Sequence, residues 1–281
     1  MALNPRPSSA MVARLPDGRL HLQHGPIDIL AAAFGPPAAV RAAHSRAAVR
    51  FATILEELVH ELPALRAVDA TPDGPVARRM AAAVTPFRPA FITPMAAVAG
   101  AVAEEVLQAL TGPGIIRAYA NNGGDIALWL QPGESLTCAL AVTGGLDRVT
   151  LGHADPVRGI ATSGWRGRSF SFGIADAVTV LARSAAMADA AATMIANAVD
   201  LPHSGILRRP ARDLQCDSDL GDRLVTCAVP PLTAAERAQA LDAGLAAARA
   251  IRARGLIAGA AIFLQGEAGI TGLSVPEVTH V

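Results

Sequence analysis

The sequence predicts an α+β fold in which long helices pack against a largely antiparallel sheet. Short apolar segments separated by turn residues are typical of hairpins and meanders. Between them lie longer segments whose apolar side chains recur at helical spacing. Apolar residues make up 52% of the chain but aromatic residues only 4%, so small aliphatic side chains must form the core and let the helices lie close to the sheet.

Turn and periodicity signals predict the elements of the first half. A Pro-Asp-Gly turn at residues 16–18 indicates a hairpin, and a long stretch of helical periodicity follows until Pro63 ends it. Thr93 is interpreted as an N-cap with Pro94 in the first turn of a second helix, in which Gly100 indicates close contact with another element. The predicted elements are strands at residues 11–15, 19–23 and 27–32 and helices at residues 38–62 and 94–110.

The second half continues the alternation. Asn-Gly-Gly and Pro-Gly turns separate three successive strands, which is typical of an antiparallel meander. Two more strands, a helix of almost pure alanine, and a strand, helix and strand follow. The predicted strands are residues 115–120, 125–130, 136–142, 158–162, 176–181, 223–229 and 258–264, and the helices are 185–199 and 233–254. We therefore predict a single domain over residues 1–281, in which about the first ten residues are disordered.

The charge composition excludes several classes of protein. The 24 acidic residues balance 24 basic ones, whereas nucleic-acid binding or attachment to an anionic membrane surface needs a basic excess. All the basic residues are arginine, which excludes Schiff-base lysines, pyridoxal enzymes and phosphate-loop lysines. No apolar run approaches the roughly 20 residues needed to cross a bilayer. The chain begins without a secretory signal pattern, so we expect a cytoplasmic protein with no nucleic-acid or membrane partner.

Cysteine and histidine spacing argues against a zinc site. Cys138, Cys216 and Cys227 are too scattered for a disulfide scaffold or a Cys-x-x-Cys site. We interpret each as a buried small hydrophobic residue. The seven histidines show no metal-binding spacing and are assigned structural or surface roles.

Two glycine-rich segments are candidates for ligand binding. Gly123 and Gly124 separate two strands, where backbone amides can approach a phosphate or a ring edge, and Asp125 can bind a ribose or a metal. A plain hairpin turn is the alternative. Residues 162–169 combine hydroxyls, glycines and two arginines, which suit pyrophosphate recognition. A solvated loop of similar composition is the alternative there.

A third candidate lies in the alanine-rich helix. Asp189 and Thr193 are four residues apart and share one helix face, where a carboxylate and a hydroxyl can both reach one hard cation. The alternative is an exposed aspartate on the helix surface. The small neighbouring residues favour a helix that is packed on several sides.

The order of these motifs is specific. They run Asn121-x-Gly123-Gly124-Asp125, Thr162-Ser163-Gly164, the strand Ala177-Val178-Thr179-Val180, and Ala188-Asp189-Ala190-x-x-Thr193. This order resembles the ApbE superfamily of flavin transferases, which move FMN from FAD onto a Ser or Thr of a target protein. The phrases HGPID at 24–28, TPMAAVAG at 93–100 and SFSFGIAD at 169–176 are similar to the UPF0280 branch of that superfamily. The resemblance covers residues 11–265.

The resemblance implies a single ApbE-like domain with two T-fold-like halves and a flavin or related heteroaromatic ligand between them. It implies a magnesium site at Asp189 and Thr193, with a backbone carbonyl as a further ligand. Magnesium there would neutralise and polarise a pyrophosphate. It also implies a homodimer. The positions that it places close to FAD or FMN are Asn121, Gly123, Gly124, Asp125, Thr162 and Ser163.

One departure from the family pattern affects the expected function. The transferases carry His-x-x-Asp-Pro-x-Thr-Gly after the Thr-Ser-Gly element, whereas residues 169–180 contain no His and no Asp-Pro. The missing segment would supply substrate binding and general acid/base catalysis, so no catalytic residue is assigned. Three functions stay open: a magnesium-dependent enzyme acting on FAD or a similar nucleotide, a non-catalytic flavin or metabolite-binding protein, and an enzyme on the same scaffold that acts on another small molecule.

Overall fold

The computed structural model describes residues 9–69, 71–142 and 145–272. The strands in these ranges are β1 (Met11–Arg14), β2 (Leu20–His24), β3 (Ile27–Phe34), β4 (Arg117–Asn122), β5 (Asp125–Leu130), β6 (Ser135–Val142), β7 (Gly145–Gly152), β8 (Gly159–Ser163), β9 (Ala177–Ala182), β10 (Leu207–Pro210), β11 (Leu224–Ala228), β12 (Gly259–Leu264) and β13 (Glu267–Thr271). The helices are α1 (Pro37–His60), α2 (Leu62–Leu65), α3 (Pro75–Val84), α4 (Val98–Leu110), α5 (Ala185–Ala198), α6 (Ala211–Leu214) and α7 (Ala234–Ala253). This composition confirms the α+β class. The predicted N-terminal disorder falls mainly on residues outside the described ranges.

A nine-stranded sheet forms the centre of the molecule, in the order β1-β2-β3-β4-β5-β8-β9-β12-β13. Every neighbouring pair is antiparallel. The sheet divides into two halves of the same build: β2 to β5 with α1 to α4 inserted after the second strand, and β8, β9, β12 and β13 with α5 to α7 inserted likewise. The halves join where β5 pairs with β8, at Ile126↔Ile160 and Ala127↔Gly159.

The helices pack on one face of this sheet around a core made largely of small residues. Eight of the fourteen residues of α5 are buried, and seven of these are alanine. Gly100 in α4 lies so close to α5 that a Cβ atom there would be 2.3 Å from the carbonyl oxygen of Ala185. The close contact predicted from Gly100 is therefore confirmed. It brings the main chains of the two halves directly together.

Two predicted helix ends are wrong. The first long helix ends at His60, and Pro63 lies in the first turn of the short helix α2, where a missing amide is tolerated. Thr93 does not cap α4, because a 3-10 turn at Pro94–Ala97 intervenes. The hydroxyl of Thr93 instead donates to the carboxylate of Asp219.

The third strand of the predicted meander does not join the sheet. Strand β6 pairs only with β7, and this hairpin packs on the outer face over Leu128, Ile160 and Leu181. These apolar side chains would otherwise be exposed to solvent. Their burial accounts for the hairpin that the chain forms between β5 and β8 before it returns to the sheet. Helix α3 and strands β7, β10 and β13 were not predicted, and β11 pairs with β10 in a separate two-stranded sheet.

The three cysteines differ in exposure. Cys138 and Cys227 are half-buried, but Cys216 is exposed, so the prediction of burial is wrong for Cys216. Within the described part of the chain, no helix is both long and apolar enough to cross a membrane.

Candidate functional site

A cavity of about 720 Å³ lies at one end of the sheet, where the ends of β4, β5 and β8 meet α5 and the residues before α4. The segments 163–170 and 215–220 supply further walls. The eight residues that the sequence singled out all line it: Asn121, Gly123, Gly124, Asp125, Thr162, Ser163, Asp189 and Thr193. The structure thus brings the three motifs together, while the ligands assigned to them stay predictions.

The glycine pair forms the turn between β4 and β5. Gly123 and Gly124 have φ angles of +66° and +116°, a region that favours glycine. The side-chain oxygen of Asn121 accepts a hydrogen bond from the Gly124 amide at 2.8 Å and so closes the turn. A Cβ atom at Gly123 would lie 2.0 Å from a guanidinium nitrogen of Arg168. The segment is therefore a hairpin turn and a cavity wall at once, with an arginine directly above it.

One face of α5 forms the floor. Asp189, Thr193 and Asn197 follow at four-residue spacing and all line the cavity. The Asp189 carboxylate accepts a hydrogen bond of 3.0 Å from the Gly100 amide, so it caps the first turn of α4 from the neighbouring helix. The alternative of a surface-exposed Asp189 is wrong. Sequence reasoning missed Asn197, although it is the next position in the spacing that linked Asp189 to Thr193.

Two carboxyl groups share this enclosed site. Asp125 is buried, and one of its oxygens accepts a hydrogen bond of 3.1 Å from the Thr162 amide. Burial raises the pKa of Asp125 to about 7, although that amide and the charge of Arg168 act in the opposite direction. Burial and the neighbouring charge of Asp125 also raise the pKa of Asp189 well above its ordinary value. The positive charge of Arg168 therefore does not offset the effect of burial on this pair.

The donor set suits a hard cation. Within residues 9–69, 71–142 and 145–272, no group of three or more His, Cys, Asp or Glu side chains is placed to hold a metal ion. Magnesium does not require such a group, because it is commonly held by one or two carboxylates and keeps several of its waters. Asp125, Asp189 and Thr193 all line the cavity and carry oxygen ligands of the type that magnesium takes. A cation among them would favour both carboxylates in their ionised form.

The loop after β8 is held by a buried carboxylate. Asp176 accepts hydrogen bonds from Trp165 Nε1 at 3.2 Å and Arg166 Nε at 2.6 Å. Its second oxygen accepts from the Gln265 amide at 2.6 Å. The loop leads into residues 169–180, which contain no His and no Asp-Pro. The sequence contained Asp176 in the UPF0280-like phrase, but nothing in the phrase indicated that it anchors the loop.

A second wall of the cavity is aromatic. Phe91, Phe170 and Phe172 are half-buried and line it. The rings of Phe91 and Phe172 lie 6.3 Å apart between centroids, at 47°. The guanidinium of Arg223 lies 3.3 Å from the centroid of the Phe91 ring. Sequence reasoning did not assign these phenylalanines to the site, since they are far from the motifs or hidden in the UPF0280-like phrase.

Comparison with known proteins identifies the family. A family model described as "AbpE bacteria" matches residues 12–270. A UPF0280 protein of Methanothrix thermoacetophila is 37% identical over 137 residues, which cover 44% of this chain and 52% of the relative. A UPF0280 protein of Methanothermobacter thermautotrophicus is 40% identical over 134 residues, covering 46% and 51%. The chain thus spans about half the length of the curated relatives that it matches. Both the ApbE-like and the UPF0280 resemblance are confirmed, and the chain belongs to the ApbE-like family described as AbpE bacteria.

Proposed function

We propose that the cavity binds FAD or a related heteroaromatic nucleotide together with Mg²⁺, and that the protein is an ApbE-like enzyme acting on that nucleotide. The observation that carries the proposal is the meeting of all eight motif residues in one cavity, among them two carboxyl groups whose pKa values are raised. The proposal also includes a cytoplasmic location, FMN or FAD as the bound flavin, and a homodimer.

Each of these cavity residues would have a distinct role. Asp189 and Thr193 would hold the magnesium ion with a backbone carbonyl, and the ion would neutralise and polarise a pyrophosphate. Arg168, above Gly123, is exposed and can donate to a phosphate oxygen. The Thr162 amide keeps Asp125 in place at 3.1 Å. The Asn121 side chain fixes the glycine turn, which lets a ligand approach the main chain closely.

A second function, binding without chemistry, has one observation in its favour. The segment after Thr162-Ser163-Gly164 has no histidine, and its carboxylate, Asp176, is committed to Trp165, Arg166 and the Gln265 amide. Asp176 therefore does not serve the cavity as an acid or base. An enzyme that acts on a different small molecule stays a third candidate, because a fold does not fix the reaction.

Flavin fluorescence titration of FAD with and without Mg²⁺ tests the proposal. We expect magnesium-dependent binding by the wild type and loss of the magnesium dependence in Asp189→Asn. Asp242→Asn is the matched control, because Asp242 is an exposed aspartate on another helix. Release of AMP from FAD would show that the protein is an enzyme and not a binding protein without catalytic activity. Failure to bind FAD at any magnesium concentration would contradict the proposal.

A further inference from the structure

The chain is poor in aromatic residues, yet several of them line the cavity. It has seven Phe, two Trp and one Tyr among 281 residues. Phe91, Phe170 and Phe172 line the cavity and are half-buried, whereas Phe51 and Phe87 are buried in the core. A core made of aliphatic side chains does not need phenyl surface at the edge of a cavity, where its exposure to solvent costs free energy. A ligand that covers these rings would recover that free energy.

The aromatic wall is held rigidly on both sides. The side-chain oxygen of Asn197 accepts hydrogen bonds from the Phe172 amide at 2.9 Å and from the Ser171 hydroxyl at 3.2 Å. The Thr226 hydroxyl donates to the Phe172 carbonyl at 3.3 Å. Arg223 covers part of the Phe91 ring, whose centroid is 3.3 Å from its guanidinium carbon. A wall fixed in this way loses little conformational freedom when a ligand binds.

The wall and the carboxylates lie at different ends of the floor. Asn197, which holds Phe172, follows Asp189 by eight residues on one face of α5, so their main chains are about 12 Å apart along the helix axis. A ligand that reaches both ends must carry a flat ring at one end and an anionic group at the other. The aromatic end offers phenyl surface to the ring, and the opposite end offers Arg168 and the proposed metal ligands to the anion.

We propose that Phe91 and Phe172 form a subsite for an uncharged planar heteroaromatic ring, and that Asn197 is the positioning residue that holds Phe172 for it. The subsite rests on the proposed function only for the location of the ligand. It does not depend on the ligand being a flavin, because flavin, pteridine and purine rings share the chemistry that the wall recognises. The experiment therefore probes the two ends of the cavity with separate compounds.

Riboflavin, lumazine and adenosine serve as ring probes without phosphate, and inorganic pyrophosphate with Mg²⁺ probes the other end. We expect Phe91→Leu and Phe172→Leu each to weaken ring binding about threefold to tenfold, because leucine keeps apolar volume but removes the aromatic face. Pyrophosphate binding should change less than twofold. Phe34→Leu is the matched control: Phe34 is also half-buried beneath an arginine, at 4.5 Å, but lies outside the cavity.

Two results would overturn the ring subsite: binding of none of the three ring probes, or equal binding by the wild type and both leucine variants. Binding of adenosine or lumazine but not riboflavin, with the expected dependence on Phe91 and Phe172, would refute the flavin assignment and support the subsite. The two proposals therefore fail separately.

Asn197 is tested by the comparison of two variants. Asn197→Ala should weaken the ring probes as Phe172→Leu does and leave pyrophosphate binding unchanged. Asn197→Asp keeps the acceptor oxygen and should recover ring binding. Equal weakening of ring and pyrophosphate probes, or no recovery in Asn197→Asp, would show that Asn197 does not act by positioning Phe172. If Asn197→Ala does not fold, Asn197→Leu, which keeps side-chain volume but has no acceptor oxygen, replaces it with the same expected results.

Discussion

Replacement of Asp125 by asparagine should stabilise the ligand-free protein at neutral and alkaline pH. The carboxyl group is buried next to Asp189, and burial raises its pKa from the ordinary value of 3.8 to about 7. Asparagine has nearly the same shape, and its side-chain oxygen can still accept the hydrogen bond from the Thr162 amide. The variant thus removes a buried charge without removing the contact.

The size and sign of the effect follow from proton linkage. Between pH 3.8 and about 7 the folded state keeps the Asp125 proton while the unfolded state has lost it, so the free energy of unfolding falls as the pH rises. Below that window both states are protonated and the cost vanishes. Above it the cost is complete and, for a difference of about three pH units, on the order of 4 kcal/mol. Asp125→Asn should therefore raise the melting temperature by about 10 °C at pH 8 and change it little at pH 4.

Calorimetric or circular-dichroism melting from pH 4 to pH 8 measures this difference. Asp242→Asn is the control, because an exposed aspartate on α7 should melt like the wild type at every pH. Magnesium should stabilise the wild type at pH 8 far more than Asp125→Asn. A variant that is no more stable than the wild type at pH 8, or a gain of equal size at pH 4, would refute the argument that the buried charge is costly.

Three other substitutions test the packing and the loops. Gly100→Ala should lower the free energy of unfolding by about 2 kcal/mol in denaturant titration, because the clash at 2.3 Å with the Ala185 carbonyl outweighs the gain in helix propensity of about 1 kcal/mol; a stabilised variant would contradict the close contact. Asp176→Ala should cost about 3 kcal/mol and shift Trp165 emission to the red, since three donors lose their buried acceptor; unchanged emission would argue against the anchor. Thr233→Ala should cost about 1 kcal/mol by loss of the capping box of α7, as urea unfolding can show, and no loss would mean that the cap is dispensable.

Local signals predicted most of the fold. The turn at Gly123 and Gly124 and the alanine-rich helix with Asp189 were recognisable because glycine punctuation and helical spacing are local properties. The position of β6 outside the sheet could not be predicted in this way, because it depends on which distant apolar side chains the hairpin buries. The same distinction applies to the site. Phe91 reaches the cavity through tertiary contacts that no short spacing records, whereas Asn197 continues the four-residue spacing of Asp189 and Thr193 on α5.

The contact between α4 and α5 constrains how this cavity can vary. Glycine and alanine have no side-chain rotamers, so at Gly100 and Ala185 the distance between the two helices is set by the main chain alone. The Asp189 carboxylate and the amide that it binds are fixed by that distance. A change of ligand among related proteins should therefore appear in the segments 163–170 and 215–220, which can be remodelled independently, while the floor keeps its geometry.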